Sequence, residues 1–318
     1  MRALVTGAAG FIGSHLSTAL LARGADVVGL DRFTDYYPRA TKEANLAPLR
    51  REARFAFVEA ALQTADLGRV LDGVTHVFHL AGQPGVRKSW GQDFATYTSD
   101  NVDATQRLLE AVKTAGGRIE RFVYASSSSV YGDDVEIPMR EDARVSPVSP
   151  YGVTKLAAEH LCHLYAVNHG LPTVSLRYFT VYGPRQRPDM AFHRFLTAAL
   201  TGQPITLYGD GGQTRDFTFV GDIVAATMAA GDRGRPGAVY NIGGGSRVSM
   251  TDIIALVERV TNRPLEVVRD SVQKGDMRDT FADTTRARAE IGFAPATSLA
   301  EGLAAEAAWL AESLTARG

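Results

Sequence analysis

Cysteine is nearly absent from this chain of 318 residues, which contains only Cys162 and therefore cannot form an internal disulfide. A long apolar run and a secretion signal are also absent, since the short apolar segment 1–5 leads directly into a glycine-rich turn. Lys and Arg total 34 against 35 Asp and Glu, so no strong basic field favours nucleic acid. The seven histidines lack metal-ligand spacing. We therefore expect a cytoplasmic protein that binds no metal, membrane or nucleic acid.

A glycine-rich turn separates the first predicted strand, residues 2–6, from an apolar helical pattern. The turn and the start of the helix contain Gly7, Gly10, Phe11, Ile12 and Gly13. A second apolar strand, residues 26–30, then ends at Asp31. Strand, glycine turn, helix, strand and acidic residue predict a dinucleotide site with its phosphates at the helix N-terminus. Asp31 would bind the adenosine ribose and favours NAD over NADP, although Arg32 also suits a 2′-phosphate.

Tyr151 and Lys155 are four residues apart in a predicted helix, so they lie on one face, one turn from each other. A tyrosine hydroxyl has an ordinary pKa of about 10, and a nearby cation lowers that pKa because it stabilises the phenolate. The pair therefore predicts a general base beside the dinucleotide.

Strands alternate with helices along the first part of the chain. We predict strands at residues 2–6, 26–30, 55–58, 76–80, 122–125 and 174–177, and long helices at 93–115 and 150–168. This alternation indicates an α/β fold with a doubly wound parallel sheet, in which ligands bind at the carboxyl ends of the strands. The glycine turn, Ala81, the serine run 126–129 and residues 178–180 each follow a strand, so we expect them to meet at one site.

Short segments rich in Gly, Pro and Arg follow residue 182, where the regular alternation stops. We predict that residues 1–177, with about 218–240, form a dinucleotide-binding domain. Residues 178–217 and 241–318 are predicted to form a smaller α/β domain, which binds an extended polar ligand with phosphates.

These motifs resemble the extended short-chain dehydrogenase/reductase family, and within it the nucleotide-sugar 4-epimerases, over residues 7–283. The matching segments read G-A-A-G-F-I-G, H-L-A-G, A-S-S-S-S-V-Y-G, S-P-Y-G-V-T-K, L-R-Y-F-T-V-Y-G-P, R-D-F-T-F-V-G-D and N-I-G. Asp35-Tyr36-Tyr37, Lys42, Asn45, Leu46 and the segment 187–191 narrow the resemblance to the UDP-glucuronate 4-epimerase branch. Gln186 stands where that branch has glycine. The resemblance implies a Rossmann-type NAD domain, a UDP-sugar substrate and, through the helices at 93–115 and 150–168, a homodimer.

The resemblance also implies the roles of the central residues. Tyr151 would remove the proton of the sugar 4-hydroxyl while hydride passes from C4 to NAD, and Ser127 would hydrogen-bond that hydroxyl. Lys155 would bind the nicotinamide ribose and lower the pKa of Tyr151. The 4-keto sugar then rotates, so that hydride returns to its other face.

The remaining site residues are carried over from the family by position. Those implied to contact NAD are Gly7, Gly10, Phe11, Ile12, Gly13, Asp31, Arg32, Leu62, Leu80, Ala81, Gln83, Asn101, Tyr151, Lys155 and Tyr178. Those implied to contact the UDP-sugar are Arg87, Ser128, Ser129, Thr180, Arg185, Arg187, Phe192, Tyr208, Arg215 and Asp276. Within the second set, Arg215 would bind the diphosphate and Asp276 the uridine ribose, while Phe192 and Tyr208 would frame the uracil. Arg185 or Arg187 would pair with the sugar carboxylate or the diphosphate.

Other outcomes of the same chemistry remain open. Related 4,6-dehydratases carry an Asp-Glu pair, and UDP-glucuronate decarboxylases a Glu, where this chain has Ser128 and Ser129. Epimerisation is therefore the leading hypothesis, and UDP-glucuronate decarboxylation and UDP-glucose/galactose epimerisation are the alternatives. A dinucleotide-binding protein without catalysis is a further alternative, but such proteins commonly lose the Tyr or the Lys.

Overall fold

The computed structural model describes residues 1–271 and 275–315. The strands, numbered in chain order, are β1 (Arg2–Thr6), β2 (Asp26–Asp31), β3 (Phe55–Glu59), β4 (His76–His79), β5 (Arg121–Ser127), β6 (Thr173–Tyr178), β7 (Thr180–Tyr182), β8 (Ile205–Tyr208), β9 (Thr214–Phe219), β10 (Val239–Ile242), β11 (Arg247–Ser249) and β12 (Val267–Asp270). The helices are α1 (Phe11–Ala22), α2 (Arg39–Leu46), α3 (Leu67–Val70), α4 (Phe94–Tyr97), α5 (Ala104–Thr114), α6 (Pro150–His169), α7 (Ala191–Thr201), α8 (Val220–Arg233), α9 (Met250–Thr261), α10 (Thr285–Ile291) and α11 (Leu299–Thr315).

Seven strands form the main sheet in the order β3-β2-β1-β4-β5-β6-β10, and every neighbouring pair is parallel. The chain leaves β3 for β4, which pairs with β1, so the order reverses between β1 and β4 and opens a crevice at the carboxyl ends of these strands. This arrangement confirms the predicted Rossmann-type doubly wound sheet.

Helices cover both faces of the main sheet. On one face α1 packs against α8, and Leu16 and Ile223 belong to the same buried cluster. On the other face α5 packs against α6, where Leu108 and Cys162 are fully buried. Burial of apolar side chains on both faces is what the continuous apolar strands of a parallel sheet require.

A smaller unit holds the remaining strands in a three-stranded sheet, β11-β9-β7, and a two-stranded sheet, β12-β8. Helices α7, α9 and α11 pack together beside them around a separate apolar cluster that includes Phe192, Leu256 and Leu303. The predicted boundary at about residue 240 falls inside β10, which pairs with β6 in the main sheet. Helix α10 likewise packs on α8. The division into two domains stays a prediction, with these elements attached to the first.

The chain is helical through residues 94–114, as predicted for 93–115, but the helix is not α-helical throughout. It consists of α4, a π-helical segment over Thr98–Asp103, and α5. Residues 93–114 otherwise follow the predicted course. Among the helices in the described part of the chain, none combines the length and the apolar character needed to cross a membrane.

Candidate active site

A cleft of about 680 Å³ lies at the carboxyl ends of β1, β4, β5 and β6 and extends to the smaller unit. Register places the strand ends side by side, since Thr6 pairs with His79 and Ser127 pairs with Tyr178. The volume falls in the usual range for small-molecule sites, which is roughly 300–1,000 Å³. Both units contribute residues to its walls.

The glycine turn lies at one end of the cleft, where α1 begins. Gly7 has φ 72°, a conformation that favours glycine, and a Cβ on Gly13 would stand 2.1 Å from the Gly7 carbonyl oxygen. Asn45 donates its amide to the Ala9 carbonyl at 3.1 Å and holds the turn from outside. The backbone is therefore shaped to meet the pyrophosphate of a dinucleotide at the N-terminus of α1, which fits NAD.

Asp31 and Arg32 line the same end of the cleft. The Asp31 carboxylate accepts hydrogen bonds from the backbone N–H groups of Ala9 and Phe33, at 3.1 and 2.9 Å. Arg32 forms an ion pair with Asp100 at 2.6 Å. Because a carboxylate already partners Arg32, Asp31 is the group in this corner that favours a ribose hydroxyl over a 2′-phosphate.

Asn101 does not line the cleft but orders the segment that does. Its side-chain oxygen accepts from the Gln83 N–H at 2.7 Å, and its amide donates to the Gln83 carbonyl and the Thr154 hydroxyl. Leu62, Leu80, Ala81 and Gln83 form the adjacent wall. Asn101 thus joins that wall to α6.

Helix α6 carries Tyr151 and Lys155 in its first turns. The hydroxyl of Ser149 caps the helix by accepting from the Gly152 N–H at 3.1 Å, and Pro150 occupies the first turn. The Lys155 ammonium donates to the Ala125 carbonyl at 2.6 Å, and the Tyr97 ring packs edge-on to Tyr151 with centroids 6.3 Å apart. The cap and these contacts fix both side chains in the cleft.

Burial changes the ionisation of both residues. It raises the pKa of Tyr151, while a hydrogen bond with Ser127 and the charge of Arg187 act to lower that pKa. Burial lowers the pKa of Lys155 to about 8. The groups that act to lower the pKa of Tyr151 in the protein alone are Ser127 and Arg187, while the Lys155 ammonium binds the Ala125 carbonyl. In the protein alone, Ser127 and Arg187 favour the phenolate.

The serine run divides into two kinds of residue. Ser126 is buried and donates to the carboxylate of Glu159 at 2.6 Å, and Glu159 in turn pairs with buried Arg177 at 2.7 Å. Ser127, Ser128 and Ser129 follow along the cleft. Ser126 is therefore bound into a polar network in the interior, whereas the next hydroxyls are available to a ligand.

The neighbouring arginines Arg185 and Arg187 lie in different places. Arg187 lines the cleft and pairs with Asp189, with Nε 3.0 Å from Oδ1 and Nη2 3.1 Å from Oδ2. Arg185, at φ 66°, points away and donates to the Ser14 hydroxyl at 3.3 Å. The prediction that either could meet the substrate is thus corrected, since only Arg187 lines the cleft.

Arg87, Tyr208, Arg215 and Asp276 gather at the end of the cleft away from the glycine turn. Arg87 pairs with Asp276 at 2.6 Å and lies 4.3 Å over the ring of Tyr208. Phe192 does not join them. It is 1% exposed and stacks on Phe217 with centroids 4.5 Å apart in the core of the smaller unit, so its predicted place beside uracil is corrected.

Sequence reasoning gave no role to Tyr36 or Asp189, although both line the cleft. The Tyr36 hydroxyl donates to Asp189 at 3.3 Å and so connects the loop after β2 with the segment before α7. A Cβ on Gly85, which has φ 97°, would stand 2.1 Å from that hydroxyl. Both residues belong to segments that resemble the UDP-glucuronate 4-epimerase branch, and that resemblance could have indicated a role for them in the site.

Residues 3–243 match the model of the NAD dependent epimerase/dehydratase family. The chain belongs to this family. A Bacillus subtilis (strain 168) relative, described as an uncharacterized UDP-glucose epimerase, YtcB, is 46% identical over 98% of each chain. UDP-glucuronate 4-epimerase 3 of Arabidopsis thaliana is 39% identical over 96% of this chain and 75% of its own.

Solved structures of the epimerase/dehydratase family agree with this fold. The structure of UDP-glucuronic acid 4-epimerase from Bacillus cereus, in complex with UDP-glucuronic acid and NAD, superposes with a TM-score of 0.95. It is 44% identical and covers 98% of this chain and 100% of its own. The similarity therefore extends through both units that form the cleft.

Proposed function

We propose that this protein is an NAD-dependent 4-epimerase that interconverts UDP-glucuronic acid and UDP-galacturonic acid. The observation that carries the proposal is the meeting of Tyr151, Ser127 and Arg187 in one cleft with the dinucleotide turn. Similarity to the Bacillus cereus and Arabidopsis UDP-glucuronate 4-epimerases supports the substrate.

When bound, NAD accepts hydride from C4 of the sugar, returns it to the other face, and in its oxidised form places positive charge near the general base. Tyr151 takes the proton of the 4-hydroxyl and gives it back after the sugar has rotated. Ser127, whose hydroxyl acts to lower the pKa of Tyr151, would share that proton network. Lys155 holds the nicotinamide ribose.

The carboxylate of the substrate requires a polar end to the sugar pocket. Ser128, Ser129 and Thr180 provide short hydroxyl groups there, and Arg187 provides the cation. Arg187 and Tyr151 line the same cleft, and the positive charge of Arg187 acts to lower the pKa of Tyr151. We therefore assign Arg187 to the carboxylate rather than to the diphosphate.

The UDP portion occupies the opposite end. Arg215 lines that end and is fixed by its bonds to the carbonyls of Thr214 and Arg278, both at 2.9 Å. Arg215 and Arg87 supply positive charge for the diphosphate, Asp276 accepts from the uridine ribose, and Tyr208 packs on the uracil.

Incubating the protein with UDP-glucuronic acid and following products by NMR tests the proposal. UDP-galacturonic acid should form and reach a stable ratio with the substrate. UDP-xylose or a UDP-4-keto-pentose as the main product would instead identify a decarboxylase. Tyr151→Phe should retain UDP-sugar binding and lose turnover.

UDP-glucose 4-epimerisation is the second candidate, because the Bacillus subtilis relative is described as a UDP-glucose epimerase. Comparing kcat/KM for UDP-glucuronic acid and UDP-glucose discriminates between them. The proposed function predicts a preference for the carboxylate-bearing sugar that Arg187→Gln abolishes.

We also propose a cytoplasmic homodimer, formed through α6 and the adjacent α4. Val153, Leu164 and Val167 lie on one face of α6 and are 48%, 51% and 67% exposed, and Phe94 on α4 is 41% exposed. Exposed apolar side chains grouped on one helix face, here with the exposed His160 among them, become buried when two copies pack. Light scattering should give twice the chain mass, and Val167→Asp should halve it. Val268→Asp, at a 50% exposed position on β12, is the matched control.

A further inference from the structure

The segment 183–190, which joins β7 to α7, carries Arg187 into the cleft. Gln186, the residue before Arg187, is only 2% exposed although its side chain is polar. The proposed function gives this side chain no role. A buried amide requires partners, and those partners show what Gln186 does.

Gln186 joins the end of a strand to the start of a helix. Its amide nitrogen donates to the Val181 carbonyl in β7 at 3.0 Å. Its amide oxygen accepts from the His193 N–H, in the first turn of α7, at 2.9 Å. The N-cap residue of α7, Met190, makes no side-chain capping bond, so Gln186 fills that role from outside the helix.

Other bonds fix the start of the same segment. The Gly183 N–H donates to Glu306 of α11 at 2.7 Å, and the His15 ring lies 2.7 Å from the Pro184 carbonyl oxygen. Arg185 donates to Ser14 in α1. These contacts hold the backbone before Arg187, whereas Gln186 alone among them spans Arg187 and reaches the helix that follows it.

We propose that Gln186 is a positioning residue, which holds Arg187 against the substrate carboxylate and thereby limits loss of CO2 during epimerisation. The inference rests on the proposed function. Arg187 also forms an ion pair with Asp189, and Asp189 accepts a hydrogen bond from the Tyr36 hydroxyl. Asp189 fixes the guanidinium, and Gln186 fixes the backbone from which that side chain extends.

The chemistry explains why position matters. The 4-keto uronate is a β-keto acid, and it decarboxylates when its C5–C6 bond aligns with the C4 carbonyl π system. The C5–C6 bond then breaks, its electron pair forms the C4–C5 enolate, CO2 leaves, and water supplies a proton to C5. When the carboxylate is held out of this alignment, the C5–C6 bond stays intact and no CO2 is lost. Misplacement by about 1 Å commonly changes such partitioning strongly.

The test uses Gln186→Ala and the near-isosteric Gln186→Met, which removes both hydrogen bonds and keeps the volume. Gln203→Ala, at an exposed position just after α7, is the matched control. UDP-glucuronic acid is supplied to each full-length protein, and NMR measures the ratio of decarboxylated sugar to UDP-galacturonic acid. Hydrogen exchange at the His193 amide gives a second readout that does not depend on turnover.

Both Gln186 variants should raise the decarboxylated fraction about tenfold and speed His193 exchange, while Gln203→Ala matches wild type. If the wild type epimerises and the folded Gln186→Met variant keeps its product ratio within twofold, the positioning role is overturned and the proposed function stands. If the wild type forms no UDP-galacturonic acid, the proposed function fails and this inference fails with it.

Discussion

Arg87 and Asp276 form a two-point ion pair at the nucleotide end of the cleft, with Nη2 2.6 Å and Nε 3.2 Å from the same carboxylate oxygen. The guanidinium also covers the ring of Tyr208. The side chains are 42% and 26% exposed, and pairs this open to solvent contribute about 0–1 kcal/mol to stability. The pair therefore adds little to stability, and under the proposed function it shapes the surface that meets the UDP portion.

Replacing Arg87 tests that role. Arg87→Gln should raise the KM for the UDP-sugar about tenfold, because one charge-assisted contact is lost, and leave kcat within a few fold. Initial rates at several substrate concentrations and thermal unfolding are the measurements. Arg140→Gln removes an exposed ion pair with Asp142 and should change neither the KM nor the temperature of unfolding. An Arg87→Gln variant with unchanged KM would remove Arg87 from the binding site.

Ser126 and Ser127 are adjacent in β5 and give a matched pair of variants. Ser126→Ala removes a hydrogen bond to the buried Glu159 carboxylate, so the free energy of unfolding should fall by about 1.5–3 kcal/mol with little effect on kcat. Ser127→Ala removes the acceptor of the Ser129 N–H, which costs about 1 kcal/mol, and should lower kcat about 100-fold. Denaturant unfolding and steady-state rates separate the two effects.

The pH dependence of activity in Ser127→Ala should also shift in a defined direction. The Ser127 hydrogen bond lowers the pKa of Tyr151, so its loss raises that pKa and less phenolate exists at a given pH. The rising limb of activity should therefore move to higher pH. A limb that stays in place, or a Ser126→Ala variant as inactive as Ser127→Ala, would contradict the assignment.

Glu306 makes stability depend on pH. It is fully buried on α11, and burial raises the pKa of its carboxyl to about 8. The folded protein binds more protons than the unfolded chain between pH about 4.5 and 8, so this group's contribution is present at low pH and lost as pH rises. Glu306→Gln keeps an acceptor for the Gly183 N–H and removes the titration.

The free energy of unfolding of wild type should fall relative to that of Glu306→Gln as the pH rises. The difference between the two proteins should change by about 3 kcal/mol, in favour of the variant, between pH 5 and pH 8. Urea unfolding at several pH values measures it. Glu312→Gln, at an exposed position on the same helix, should run parallel to wild type. Parallel curves for Glu306→Gln and wild type would show that Glu306 does not take up a proton on folding.

Local patterns were sufficient to predict the first half of the fold. The end of an apolar strand can be predicted where glycine follows it, as at Gly7, or where polar residues follow it, as at Ser127. Because parallel strand ends share one edge, residues that follow them meet in space without further information. The pairing of Tyr151 with Lys155 could also be predicted from the sequence, since helical spacing alone puts them on one face.

Long-range contacts account for what was not predicted. The helix over 93–115 contains a π-helical segment, in which Asn101 bonds to Gln83 and Thr154 from elsewhere in the chain. Arg185 and Arg187 are chemically identical, and only the positive φ at Arg185 and its bond to Ser14 turn it away. Phe192 fits equally a ligand pocket or a core, and packing against Phe217 decides for the core.

The central claim is that one hydride leaves C4 of a UDP-uronic acid and returns to the same carbon within a single enzyme. UDP-glucuronic acid carrying deuterium at C4 tests this most directly, with NMR and mass spectrometry of the UDP-galacturonic acid formed in ordinary water. Return of the same hydride to C4 predicts a product that keeps its deuterium at C4. Product with hydrogen from water at C4, or with no inversion there, would contradict it.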